Sequence, residues 1–159
     1  MNIGFGSHLP ILLKIFDMTN GPVLELGGGA FSTPYLHWAC FNNKRKLVTY
    51  DNETKYFDTI KAYENDYHKV HFVEDWDKLD LSGQWSMALI DHHPNLKRKD
   101  SIKRLTHNCD YVIVHDTERM WKHKFKYHEI YHLYKYRYDY KKALPHTSVL
   151  SNLKDLSDL

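Results

Sequence analysis

The stretch Val23-Leu24-Glu25-Leu26-Gly27-Gly28-Gly29-Ala30-Phe31-Ser32-Thr33 reads as a buried strand that runs into a glycine turn and then into a helix. Val23, Leu24 and Leu26 form a short apolar run. Three successive glycines then let the backbone turn sharply and approach a ligand with no Cβ in the way. Ser32 and Thr33 stand where the first free N–H groups of a helix need partners. A glycine turn feeding a helix start is a nucleotide-type ligand site in many α/β folds.

What the turn lacks narrows the ligand. No Gly-Lys-Ser/Thr follows, which removes the P-loop reading. The dinucleotide fingerprint wants a third glycine where this chain has Ser32, and it calls for no acid at Glu25, two residues before the first glycine. A nicotinamide enzyme is set back on both counts. An acid at that place disfavours a pyrophosphate and suits a ligand that carries positive charge. Glu25-x-Gly27-x-Gly29-x-x-Ser32 resembles the first motif of the class I S-adenosylmethionine-dependent methyltransferases, whose cofactor carries a sulfonium and an ammonium group.

Upstream of the motif, residues 4–10 read as a flexible arm that ends in a helix start, after which Ile11, Leu12, Ile15 and Phe16 recur at helical spacing. Asn20-Gly21-Pro22 breaks that helix. Downstream, a helix through Tyr35, Leu36, Trp38 and Ala39 closes at Asn42-Asn43. Residues 46–51 read as the second strand, with Asp51 at its carboxyl end and 22 positions beyond Gly29. That is about the distance at which α/β nucleotide folds place an acid on ribose hydroxyls. A helix through Tyr56, Phe57, Ile60 and Tyr63 follows, and then a third strand at residues 70–74 with Asp75-Trp76 at its end. Residues 85–90 are a fourth strand, apolar on both faces, ending in Asp91-His92-His93-Pro94. Lys97, Arg98, Lys99, Lys103 and Arg104 decorate the next helix, which ends near Asn108. Residues 111–114 are a fifth buried strand ending in His115-Asp116-Thr117-Glu118.

Residues 134–140 alternate with period two, which predicts a strand with a tyrosine face and a charged face. Residues 147–151 predict one more strand, returning across Leu144-Pro145-His146. Strands and helices alternating at this spacing predict an α/β fold with a doubly wound, mostly parallel, seven-stranded sheet. Its closing pair resembles the antiparallel hairpin that ends the methyltransferase sheet. The polar clusters fall at the carboxyl ends of strands, where such sheets bind ligands.

The resemblance covers the chain from the first strand to about Ser151 and implies roles for particular residues. Glu25, Gly27, Gly28 and Gly29, with Ser32 and Thr33, would border the methionine part of S-adenosylmethionine. Asp51 would take the ribose hydroxyls with Asn52 beside it, and Asp75 with Trp76 would flank the adenine. Asp91 would face the reacting end. The arm could fold over the cofactor as a lid, with Ser7 and His8 reaching into the site.

Asp91-His92-His93 and His115-Asp116 end two strands that are neighbours in this topology, so their side chains can converge. In one reading a histidine, His92 or His115, is the general base that takes a proton from the methyl acceptor, with Asp91 beside it. In the other, Asp91, His115 and Asp116 hold a divalent ion, as in metal-dependent O-methyltransferases, which these strand ends resemble. That family offers acids and an amide, whereas a mixed His/Asp set suits a transition metal or Zn²⁺ better than Mg²⁺. With 12 histidines in the chain, some simply bond to backbone at strand ends.

Composition bounds the rest. The 159 residues fit one domain, 1–159, and 14% aromatic content with 7 Gly and 5 Pro predicts a folded chain. Cys40 and Cys109 show no paired motif and predict reduced, buried thiols. No signal-peptide pattern and no apolar run near the roughly 18 residues of a membrane span is present, so a cytoplasmic chain without membrane association is expected.

The net charge of +2 announces no partner, but residues 119–142 carry eight Lys/Arg against two acids, interleaved with Trp121, Phe125 and six tyrosines. Such a segment can bind single-stranded nucleic acid. The alternation favours a packed tyrosine face and a solvated charged one. The Asn/Asp-Pro-Pro-Tyr signature of base-methylating enzymes is absent from the fourth strand's end. The expected activity is methyl transfer from S-adenosylmethionine to an oxygen or nitrogen of a small or sugar-like acceptor, whose pocket a second subunit of a homo-oligomer could complete. The alternatives are an enzyme that cleaves the same cofactor or transfers another part of it, and a non-catalytic RNA-binding module.

Overall fold

The computed structural model describes residues 6–159, so Gly4 and Phe5 of the expected arm lie outside the described residues. Pro10 opens helix α1 (Leu9–Asp17) in its first turn, where a missing N–H costs no hydrogen bond. Ile11, Leu12, Ile15 and Phe16 form its buried stripe. The chain then builds β1 (Val23–Leu26), α2 (Ser32–Asn42), β2 (Leu47–Asp51), α3 (Thr54–Lys61), β3 (His68–Phe72) and β4 (Trp85–Ile90). After these come α4 (Arg98–Arg104), β5 (Cys109–His115), the single turn α5 (Lys122–Phe125), β6 (Tyr136–Tyr140) and β7 (Thr147–Ser151).

The seven strands form one sheet in the order β3-β2-β1-β4-β5-β7-β6, and β7 alone runs opposite to the other six. The expected doubly wound α/β architecture with its closing hairpin is the observed one. Apolar side chains of each central strand alternate between two layers. Met87, Leu89, Tyr111 and Ile113 pack with α1 and α2 on one face, while Ala88, Ile90, Val112 and Val114 pack with Ile102 of α4 on the other. Tyr136, Tyr138 and Tyr140 pack against the α1 face, as the period-two pattern predicts.

Some expected boundaries differ. Strand β3 begins two residues before the expected 70–74 because His68 and Val70, not Phe72, are its inward-facing residues. Arg98 was expected to decorate a surface helix; it is instead 2% exposed. Both cysteines are free and buried. Among the described residues no helix is long and apolar enough to cross a membrane.

The sheet order places the crossover between β1 and β4: the chain winds outward through β2 and β3, then returns to the other side of β1. Loops leaving β1 and β4 therefore diverge and open a crevice at the carboxyl ends of the strands.

Candidate active site

A cavity of about 540 Å³ fills that crevice, walled by Gly27, Gly28, Gly29 and Ser32 after β1, Asp51 and Glu53 after β2, Asp91 after β4, and His115 and Asp116 after β5. Each glycine answers a different demand. Gly27 has φ +95°, and a Cβ there would stand 2.5 Å from the backbone N of His92, so the β4 loop lies directly on it. A Cβ on Gly28 would stand 2.4 Å from Cδ1 of Ile60. At Gly29 a Cβ would meet no atom of the described residues within 4 Å, since this residue faces the open cavity.

The turn is tied down from below. Gly28 N–H donates to Asp51 Oδ2 (2.9 Å), and Asp51 Oδ1 accepts the N–H of Glu53 (2.7 Å). Gly29 N–H donates to Thr33 Oγ1, and the Thr33 hydroxyl donates to Glu25 Oε2 (both 2.9 Å). Thr49 donates to the same oxygen at 2.7 Å. Because Thr49 spends its proton on Glu25, its oxygen accepts from His68 Nε2 (2.8 Å), and His68 Nδ1 pairs with His37 Nδ1 (3.2 Å). Burial, and then the neighbouring His37, hold His68 down at about 4.

Glu25 therefore does not border the cavity as the resemblance implied. It lies fully buried beneath the glycines, and burial pushes its pKa up to about 7. Among the described residues its Oε1 has no hydrogen-bond partner.

At the far wall two carboxylates meet one buried guanidinium. Arg98 pairs with Asp91 Oδ1 and with Asp116 Oδ2, both at 2.9 Å, and also donates to the carbonyls of His92 (2.7 Å) and Asp91 (2.8 Å). Burial alone would raise the pKa of Asp91, but the hydrogen bond from His115 and the charge of Arg98 outweigh it and hold the carboxyl below its usual range. His115 Nδ1 lies 3.2 Å from Asp91 Oδ2, and its Nε2 lies 2.9 Å from Ser7 Oγ. Burial lowers the His115 pKa, yet the bond to Asp91 and its charge overcome burial and leave it raised. His8 meets the His115 ring edge-on, with centroids 4.8 Å apart. Burial, then His115, hold His8 down at about 4, so it is neutral at pH 7.

The structure thus brings Gly27, Gly28, Gly29, Ser32, Asp51, Asp91, His8 and His115 together at one cavity. Other expected site residues fall elsewhere. Asp75 and Trp76 are not on its wall: the Trp76 ring is buried in the core and stacks on His92 at 3.9 Å, with its N–H on the His93 carbonyl. Asn52 is also off the wall, and Thr33 lies below it. His92 touches the wall, but its ring is 1% exposed, with Nε2 3.0 Å from Ser101 Oγ. Burial and then Arg98 hold it at about 3, and both its ring nitrogens have partners, Nε2 in Ser101 and Nδ1 in the His93 carbonyl, so no nitrogen is left for the proton-accepting role expected of it. Asp116 of the expected metal set is turned to Arg98.

Arg98, Glu53 and Tyr56 join the cavity without having been expected there. Glu53 had a signal, since it follows Asp51 by two residues and opens a helix. A second cavity of about 360 Å³ shares Asp116 and runs along Arg119, Trp121, Tyr131 and Arg137 of the basic, aromatic segment. There Arg137 lies 3.7 Å over the Tyr131 ring and pairs with Asp139 at 2.8 Å.

No family model matches the chain, and no curated protein matches it in sequence. Solved structures do match its fold. Human methyltransferase-like protein 13, solved in complex with S-adenosylhomocysteine, superposes with TM-score 0.69 at 12% identity over 97% of this chain and 85% of its own. The catalytic domain of human Mettl16 in complex with the MAT2A 3′UTR hairpin 1 gives 0.64 at 11% identity over 94% and 70%. TrmK of M. capricolum, again with S-adenosylhomocysteine, gives 0.56 at 13% identity over 88% and 66%. Over nearly its whole length, the chain has the Rossmann-like fold of the class I S-adenosylmethionine-dependent methyltransferases.

Proposed function

We propose that the chain binds S-adenosylmethionine in the glycine-walled cavity and transfers its methyl group to an oxygen or nitrogen of a small or sugar-like acceptor. The observation that carries this reading is Gly29. It is held open toward a cavity of about 540 Å³ at the sheet's switch point, with Asp51 at the next strand end. Two structural neighbours were solved with S-adenosylhomocysteine, which supports the same cofactor here.

The donor set fits that group. The glycine turn leaves room for close backbone approach, and Asp51 with Glu53 offers carboxylate oxygens for hydroxyls on the cavity wall. Bound there, S-adenosylmethionine supplies an electrophilic methyl group. Alignment of the acceptor with it is the chain's main contribution to rate. Arg98 fixes Asp91, Asp91 fixes His115, and Ser7 clamps the other side of that ring, so the reacting end is preorganised. In this arrangement both nitrogens of His115 are engaged. The neutral His8, with neither ring nitrogen bonded among the described residues, is the group placed to take the acceptor's proton. Ser7 and His8 close over the reacting end as the inner edge of a lid.

The second cavity favours a second reading, in which the acceptor carries a nucleotide. Its stacked Arg137 and Tyr131 suit a base and a phosphate, and one neighbour was solved with an RNA hairpin. Mass spectrometry of the protein mixed with S-adenosylmethionine and pools of small hydroxylated, amine-bearing or RNA acceptors tests these readings. S-adenosylhomocysteine with an acceptor heavier by one methylene is the expected result. Methylthioadenosine instead would assign cofactor cleavage and overturn the methyltransferase reading.

A further inference from the structure

His8 is 2% exposed, and among the described residues neither of its ring nitrogens has a hydrogen-bond partner. A buried polar group left unpaired costs on the order of 1–3 kcal/mol, so the place calls for a ligand. One ligand atom each from His8, Asp91 and His115 lies within 4.8 Å of the others.

The Pro145 carbonyl can only accept, so Ser7 gives it the hydroxyl proton at 2.6 Å. Ser7 Oγ must then accept from His115 Nε2, 2.9 Å away. A neutral His115 would face Asp91 Oδ2 with a bare Nδ1 at 3.2 Å, lone pair against lone pair. A cation must stand between them, either a proton or a metal ion. The 3.2 Å spacing matches the edge of about 3.3 Å expected of a tetrahedral site with bonds of about 2.0–2.1 Å. Arg98 holds the other carboxylate oxygen, Oδ1, and leaves Oδ2 to the ion, as outer partners of metal ligands do.

We propose that His8, Asp91 and His115 bind a first-row divalent transition ion, with Zn²⁺ as the reference, through two imidazoles and one carboxylate and with an open position toward the glycine-walled cavity. Two imidazoles and a carboxylate suit such ions and not Mg²⁺. Drawing the three atoms in from within 4.8 Å needs ring movements on the order of 1 Å. Asp116 is outside the set because Arg98 holds its Oδ2. With the ion bound, Asp91 and Asp116 against Arg98 and a divalent charge leave one positive charge in excess. An ionised oxygen in the open position cancels it. His8 then acts as a ligand in place of a proton acceptor. That the oxygen belongs to a methyl acceptor rests on the reading of the cavity given above; the binding of the ion does not.

The test is calorimetric titration of chelator-stripped protein with ZnCl₂, repeated with CoCl₂ while the visible ligand-field spectrum is recorded. Binding of one ion per chain, a ligand-field band, no response to MgCl₂, and weakening by at least about tenfold in His8→Ala are expected. His8→Ala removes a buried ring that meets His115 edge-on, so circular dichroism and the metal-free melting temperature establish that the variant is folded before its Zn²⁺ affinity is compared with the wild type. His8→Cys, which keeps a ligand atom, should retain Zn²⁺. Absence of stoichiometric binding, or a His8→Ala protein that binds Zn²⁺ as tightly as the wild type, overturns the proposal. Titration with S-adenosylhomocysteine on the same samples separates the two readings. Zn²⁺ binding without nucleoside binding sinks the cofactor assignment alone, and the reverse sinks the ion alone.

Discussion

Glu25→Gln is expected to change how stability depends on pH, in a direction fixed by burial. Burial raises the Glu25 pKa from its ordinary 4.5 to about 7. Between those values the unfolded chain has released its proton and the native protein still holds one. Stability therefore falls as pH rises through the window, and the loss is complete above the folded pKa. At about 1.36 kcal/mol per pKa unit, the full loss is about 3 kcal/mol. Glutamine keeps an oxygen for the hydroxyls of Thr33 and Thr49 but cannot ionise. Urea denaturation followed by circular dichroism, on both proteins at pH 5 and pH 8, isolates the effect because the other groups cancel in the difference. The stability of the variant relative to the wild type should rise by about 2–3 kcal/mol between the two pH values. A difference that stays constant, or that shrinks as pH rises, would refute the assignment of Glu25 as a carboxyl kept neutral beneath the turn.

The glycine turn separates fold from function. Gly27→Ala, strained by φ +95° and by the His92 backbone 2.5 Å from the new Cβ, should cost on the order of 3 kcal/mol in urea. Gly29→Ala, whose Cβ meets nothing among the described residues, should stay within about 0.5 kcal/mol of wild type. Arg98→Ala strands two carboxylates at one end of the sheet and should lower the unfolding free energy by about 3 kcal/mol in the same assay. Burial pushes the Cys40 thiol up to about 12 and Cys109 higher still, so iodoacetamide should label neither in the native protein and both in urea, as counted by mass spectrometry.

Much of this fold is written in local patterns. Alternating apolar residues in β4 and β5 name both faces of the central sheet, and the three glycines between β1 and α2 mark the switch point, because period and chain reversal are properties of adjacent residues. What adjacency does not encode was harder to read. Lys97-Arg98-Lys99 looks like a solvated basic run, yet the fold brings Asp91 and Asp116 from two different strand ends onto Arg98 and pulls that one side chain inside. His68 reads as polar and ends up buried, because Thr49, across the parallel ladder, and His37 satisfy its two nitrogens. Trp76 follows a strand end as an adenine-binding residue would, but the His92 ring offers it a stacking partner inside the core. His8, expected at the site as part of the arm, is there, but its partner His115, 107 residues away, is set by the fold and not by any pattern within residues 4–10.

Calorimetric titration with S-adenosylhomocysteine bears most directly on the claim that the glycine-walled cavity is a cofactor site. The wild type should bind one molecule per chain, Gly29→Arg should fill the cavity and abolish the signal while staying folded, and Asp51→Ala should weaken it. A folded wild type that gives no heat, or a Gly29→Arg protein that binds as the wild type does, would contradict the account.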